Sequence, residues 1–135
     1  MKRSVFAGFS LLELLIALAI VAILASITVP SYTGLVAKTR RSEAITALVD
    51  LQLAQQRWRA SHSAYAADLA ELGLEAGGAP DQHYRLQIVR ADGKDFFAVA
   101  QPRGSQRKDA CGDFAIRSEG AVYGQGFSGP DCWKR

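Results

Sequence analysis

Phe9-Ser10-Leu11-Leu12-Glu13-Leu14-Leu15-Ile16-Ala17-Leu18-Ala19-Ile20-Val21-Ala22-Ile23-Leu24-Ala25-Ser26-Ile27-Thr28-Val29, preceded by Gly8, is the stretch on which the reading of this chain turns. As a helix it extends roughly 30 Å, the thickness of a bilayer's hydrocarbon core. Lys2 and Arg3 lie ahead of it, and basic residues at one end hold that end in the cytoplasm. A secretory signal cleaved near Ala25 is the plain alternative, but the apolar run exceeds the usual length of such a core. Glu13 also argues against it. A carboxylate costs about 3 kcal/mol at the centre of a membrane helix and less near an interface, so its presence asks for a partner charge.

These residues carry a resemblance. Gly8-Phe9-Ser10-Leu11-Leu12-Glu13-Leu14 resembles the processing motif of type IV prepilins and their pseudopilin relatives. The resemblance implies cleavage between Gly8 and Phe9 by a membrane prepilin peptidase, N-methylation of Phe9, and Glu13 as the fifth mature residue. Cleavage would leave an ammonium on Phe9 in apolar surroundings, where an unpaired charge is very costly. Glu13 of a neighbouring subunit is then the expected counter-charge, which would set the axial register of one helix entering the filament. The expected organisation is a leader over 1–8, a transmembrane and filament-core helix over 9–30, an amphipathic outer helix over 31–60, and a loop, sheet and disulfide-closed region over 61–135. Residues 31–135 would form one globular domain.

Length and charge fit that division. The 135 residues allow one modest core beyond the apolar run. The formal charge of +3 falls once Lys2 and Arg3 are set aside: from Ser31 onward 14 basic residues face 12 acidic ones. This balance is weak support for nucleic acid as a partner.

Pro30 follows the run and cannot donate a backbone hydrogen bond, so the helix is expected to bend or loosen there, with Gly34 a second weak point. In the family, a loosened stretch here lets helices pack in the filament, and Pro30 matches that place. Helical periodicity then resumes. Ala44, Leu48, Leu51, Gln55 and Trp58 recur at spacings of three and four with Ile45 beside them, and the helix is expected to end near Ala60. Trp58 reads as packing. The connecting region from Ser61 to Pro80 holds one short helical turn over Asp68–Leu74, capped by Gly73, with Leu69 and Leu72 turned inward. Gly77-Gly78-Ala79-Pro80 breaks any continuation.

Tyr84, Leu86 and Ile88 alternate with Arg85, Gln87 and Arg90, which marks a half-buried strand. A turn at Ala91–Lys94 leads to a second strand over Phe96–Gln101. Phe114–Arg117 gives a third, and a turn at Ser118–Gly120 leads to a short fourth over Ala121–Tyr123. The expected fold is therefore α+β, a long N-terminal helix packed on a small antiparallel sheet. Cys111 and Cys132 read as a disulfide in an exported chain, contributing roughly 3 kcal/mol by restricting the unfolded state.

The sheet region with Cys111-Gly112-Asp113-Phe114 and Cys132-Trp133 extends the resemblance, which is closest to small single-disulfide pilins. It leans toward a minor pilin over a major subunit, and includes minor pilins that receive DNA. The family implies other pilin subunits, prepilin peptidase and the inner membrane as partners, with the C-terminal domain periplasmic before assembly and extracellular after it. Adhesion, twitching motility and DNA uptake are the functions this admits. No catalytic constellation, cofactor or metal set is read: His62 and His83 lack a nucleophile or ligand spacing, and two cysteines alone do not make a zinc site. Gly124, Gly126 and Gly129 precede no helix that would make a phosphate cradle. Two rivals remain. Arg103, Arg107, Lys108, Arg117, Lys134 and Arg135 are candidate DNA contacts if they converge on one sheet edge, though Asp109, Asp113, Glu119 and Asp131 are interspersed. A type II secretion pseudopilin is disfavoured because those tend to carry a calcium site in place of the disulfide.

Overall fold

The computed structural model describes residues 8–74 and 83–134. Lys2, Arg3, the Gly77–Pro80 breaker and Arg135 lie outside the described residues. The chain divides into two compact units, Met1–Val36 and Ala37–Arg135. One helix, α1 (Leu11–Arg59), contributes to both and ends one residue short of Ala60.

In the first unit α1 is exposed all along its apolar run and is long and apolar enough to cross a membrane. The helix is uninterrupted at Pro30 and Gly34, where the sequence expects a bend or loosening. Pro30 removes only the donor that would have reached the Ser26 carbonyl. Hydroxyls cluster around it: Ser26 donates to the Ile23 carbonyl at 2.7 Å, Thr28 to Leu24 at 3.1 Å, Ser31 to Ile27 at 3.3 Å and Thr33 to Pro30 at 2.9 Å. Such back-bonding keeps hydroxyls satisfied in apolar surroundings and favours gentle bending.

The second unit is built on the stripe foreseen from periodicity. Ala44, Ile45, Leu48, Leu51 and Gln55 are buried along α1. They meet a four-stranded antiparallel sheet in the order β1 (Tyr84–Ala91), β2 (Phe96–Pro102), β3 (Phe114–Arg117) and β4 (Gly120–Val122). Tyr84, Leu86, Phe96, Ala98, Ala100, Phe114 and Ile116 face the helix in one core cluster. Ala98 and Ala100 sit at the middle of that face, where small side chains leave room for the larger helix residues. A bulge between Ile88 and Arg90 leaves Val89 exposed and returns Arg90 to register with Phe97.

Two short elements went unforeseen, a 3-10 helix η1 (Gly104–Lys108) and α2 (Pro130–Trp133). The expected turn near Leu69–Gly73 is present as three 3-10 residues, Ala70–Leu72, closed by Gly73 in the left-handed region at φ 69°. Leu69 is buried there and Leu72 half-buried. Cys111 and Cys132 form a disulfide that ties α2 to the start of β3. Trp133 beside it packs edge-on to Phe114 and Tyr123.

Candidate functional site

At the start of α1 the residues singled out from sequence take up a helix N-terminus. Ser10 Oγ accepts from the Leu12 amide at 3.3 Å, and the Ser10 carbonyl accepts from the Leu14 amide at 3.2 Å. Ser10 is therefore the N-cap and Glu13 stands in the first turn, three positions on, in the Ser-x-x-Glu spacing of a capping box. A carboxylate there also meets the positive end of the helix dipole. Phe9 is 76% exposed and lies immediately before the cap. Glu13 borders a shallow apolar depression on the helix surface with Leu12, Ile16, Ala17 and Ile20. The Ser10 cap is legible in sequence as a Ser standing three residues ahead of Glu13 at the head of an apolar run.

The six late cations do not share one edge. Arg103, Arg107 and Lys108 flank or belong to η1 and are exposed. Arg117 pairs with Phe97 at the opening of β2, whereas Arg103 follows the close of that strand, so Arg117 sits at the opposite end of the sheet. Its guanidinium lies over the Phe97 ring, 5.3 Å from the centroid, and 3.9 Å from Asp95. Lys134 pairs with Asp131 at 2.6 Å. Arg135 lies outside the described residues.

In place of that edge, η1 joins α1. Arg40 Nη1 donates to Ser105 Oγ at 2.9 Å, and Gln106 Nε2 donates to the Ala37 carbonyl at 3.2 Å and to the Tyr84 hydroxyl at 3.1 Å. Arg41 forms a two-pronged pair with Asp109, whose side chain is almost fully buried. Hydrogen bonding to Asp109 holds the Arg41 guanidinium above its ordinary pKa despite partial burial. Burial raises the Tyr84 phenol, with the Gln106 bond opposing it. Lys38, Arg40 and Arg41 thus join the basic residues of η1, a grouping that only tertiary contact across more than sixty residues creates.

A second polar knot closes the far end. Asp95 accepts from the Phe96 amide at 2.8 Å, from the Ser118 amide at 3.1 Å and from the Ser118 hydroxyl at 2.6 Å. Burial works to raise the Asp95 pKa, but these bonds and Arg117 outweigh it and hold the carboxyl below its ordinary value. Asp92 in the β1–β2 turn is held low by the Asp95 and Lys94 amides. His62 stacks flat on Trp58 at 3.7 Å, and His83 faces Glu43 at 3.1 Å. Among the described residues no group of three or more His, Cys, Asp or Glu side chains is placed to hold a metal.

Comparison with known proteins bears on this arrangement. Residues 30–115 match the family described as type IV minor pilin ComP, DNA uptake sequence receptor, and residues 3–29 match the prokaryotic N-terminal methylation motif. This chain belongs to the type IV pilin family. It is 33% identical over 85 residues to the type IV major pilin protein PilA of Myxococcus xanthus strain DK1622, covering 63% of this chain and 39% of that protein. It is 36% identical over 76 residues to the fimbrial protein EcpC of Eikenella corrodens, covering 56% of this chain and 50% of that one. The matched stretches thus span half or less of either relative. The methylation-motif match falls on the apolar N-terminal helix that is long enough to cross a membrane, and the minor-pilin match begins at Pro30 where that run ends. The ComP match includes Arg103, Arg107, Lys108 and Cys111, and stops short of Arg117, Cys132 and Lys134.

Proposed function

We propose that this pilin is a minor subunit of a type IV pilus, cut between Gly8 and Phe9, N-methylated on Phe9, and built into the filament through residues 9–30. The observation that carries this reading is the pairing of a methylation motif on an exposed apolar helix with a minor-pilin match over the outer residues. Residues 1–8 act as the leader, and residues 31–135 act as the outer domain that the filament displays. Before assembly the helix sits in the inner membrane with that domain on the periplasmic side; after it, the domain is extracellular. The ammonium that cleavage creates on Phe9 is met by Glu13 of a neighbouring copy, and Pro30, which removes one backbone donor from an otherwise uninterrupted helix, is where α1 would loosen as helices pack. The role is structural rather than catalytic.

The ComP match favours a second reading within the first: the displayed domain receives DNA. Of the six late cations, Arg103, Arg107 and Lys108 are those that lie inside the matched residues; they are exposed and would contact phosphates. The decisive measurement is the amount of this chain relative to other pilins in sheared filaments. A trace amount in the filament supports the minor subunit. Abundance equal to the main subunit makes it a major pilin, and absence from filaments returns the pseudopilin reading.

A further inference from the structure

The cations that gather where η1 meets α1 form a collar. Lys38, Arg103, Arg107 and Lys108 are exposed and make no ion pair among the described residues, while Arg40 and Arg41 are half-buried. Two carboxylates lie among them: Asp109 is taken up by Arg41, and Glu43 faces His83. Among the described residues six cations thus stand against two acids, whereas the other described residues from Ser31 onward carry seven cations and eight acids. The net positive charge of the described outer residues is concentrated at this one place.

In sequence, that place begins shortly after the end of the apolar run. Lys38 follows Val29 by nine helical residues, about 13 Å of rise. The headgroup layer on each face of a bilayer is roughly 5–8 Å deep, and a charge is felt for about 8 Å beyond it at physiological salt. Lys38 falls inside that range. Because η1 is hydrogen-bonded to Ala37 and Arg40, its own cations stand beside that stretch of α1. Tyr32, exposed just past Pro30, is an amphipathic ring of the kind that settles among headgroups.

We propose that this collar is a binding surface for anionic phospholipid headgroups, with Lys38, Arg40, Arg103, Arg107 and Lys108 resting on the leaflet that α1 leaves. It seats the outer domain on the membrane while the pilin awaits assembly, and it is released when the helix is drawn into a filament. The inference goes beyond the pilus reading and is independent of DNA binding. It requires only that the apolar run span a bilayer. A duplex is the weaker fit at this stage, since it would have to enter the layer of like-charged headgroups to reach Lys38.

The test uses the full chain reconstituted in phosphatidylcholine vesicles containing about one-fifth phosphatidylglycerol, with spin-labelled forms of each lipid reporting which is held at the protein. The wild-type chain is expected to prefer phosphatidylglycerol over phosphatidylcholine, with the preference abolished by high salt. The triple variant Arg103→Gln/Arg107→Gln/Lys108→Gln should lower that preference at least roughly five-fold, the effect expected for even one cation at such a surface. Lys38→Gln, a single exposed change, should lower it in the same direction and serves if the triple variant misfolds. The double variant Arg85→Gln/Lys94→Gln, away from the collar, should leave it unchanged. Equal affinity for the two lipids in the wild type overturns the proposal, even if the triple variant weakens DNA retention in a parallel gel shift. So does a preference that survives both collar variants, or one lost equally in the Arg85/Lys94 control.

Discussion

Glu13 combines two physical roles that one substitution does not separate. At the third helical position it complements the N-terminal dipole, worth about 0.3–1 kcal/mol at an exposed site. As a charge in an apolar run it asks for a cation, which the cleaved Phe9 amine would supply. Glu13→Gln keeps the shape of the side chain while removing its charge. Both Glu13→Gln and Glu13→Ala are expected to be processed normally and to be missing from sheared filaments. Immunoblots of membrane and pilus fractions check this, and normal incorporation of Glu13→Gln would show that the charge of Glu13 is not what assembly needs. Gln55 offers a contrasting case. It is buried, its amide donates to the Ala66 carbonyl at 2.8 Å, and its carbonyl accepts from the Ala66 amide at 2.9 Å. The apolar stripe on α1 foretold that Gln55 points inward but not what it binds, because Ala66 carries no side-chain signal. Gln55→Leu preserves volume and strands both Ala66 groups, so we expect a loss of about 2–4 kcal/mol in a urea titration followed by tryptophan fluorescence.

The elements repeat this contrast. The strands were legible because Tyr84, Leu86 and Ile88 alternate, and because Ala91–Lys94 and Ser118–Gly120 supply turn residues; β4 is displaced by one residue from its expected bounds. Neither η1 nor α2 was legible. Gly104–Lys108 is polar with no apolar period, and its position depends on the single buried side chain of Gln106. The turns also carry electrostatics that strand patterns do not reveal. Asp95 joins the start of β2 to Ser118 after β3, and its carboxyl is held below its ordinary pKa by the bonds it accepts. A carboxyl depressed in the folded state contributes stability that is complete above its unfolded pKa and is lost as pH falls through the folded one. The outer domain should therefore weaken progressively below about pH 4, the ordinary Asp range. Asp95→Asn should be less stable at neutral pH and show a flatter decline on acidification. Thermal melts of both forms between neutral and acidic pH decide it, and parallel declines would remove Asp95 from the account.

Over the whole molecule, the fold redistributes charge that the sequence lays out in a line. Arg103, Arg107, Lys108, Arg117 and Lys134 read as one late cluster, yet they end at different places with different degrees of neutralisation. Arg117 lies across the sheet from η1, over Phe97 and near Asp95, and Lys134 is held by Asp131. The three residues at η1 are exposed and are joined by Lys38 and Arg40 from a segment more than sixty residues earlier. Linear proximity could not anticipate this, since it follows from one hydrogen bond to Ala37, one to Ser105 and the pair between Arg41 and Asp109. If the displayed domain receives DNA, its salt dependence should locate the contact. Each phosphate neutralised adds about 0.9 to the slope of log affinity against log salt. Replacing Arg103, Arg107 and Lys108 together by Gln should lower that slope by roughly 2–3 and weaken binding to all sequences alike. Arg117→Gln should change it little, because its charge is already answered by Asp95 and it faces away from the collar. Fluorescence anisotropy with a labelled duplex across a salt series reads both variants. A slope that falls with Arg117→Gln and not with the triple change would move the DNA contact to the Asp95 end of the sheet and leave the collar to the membrane alone.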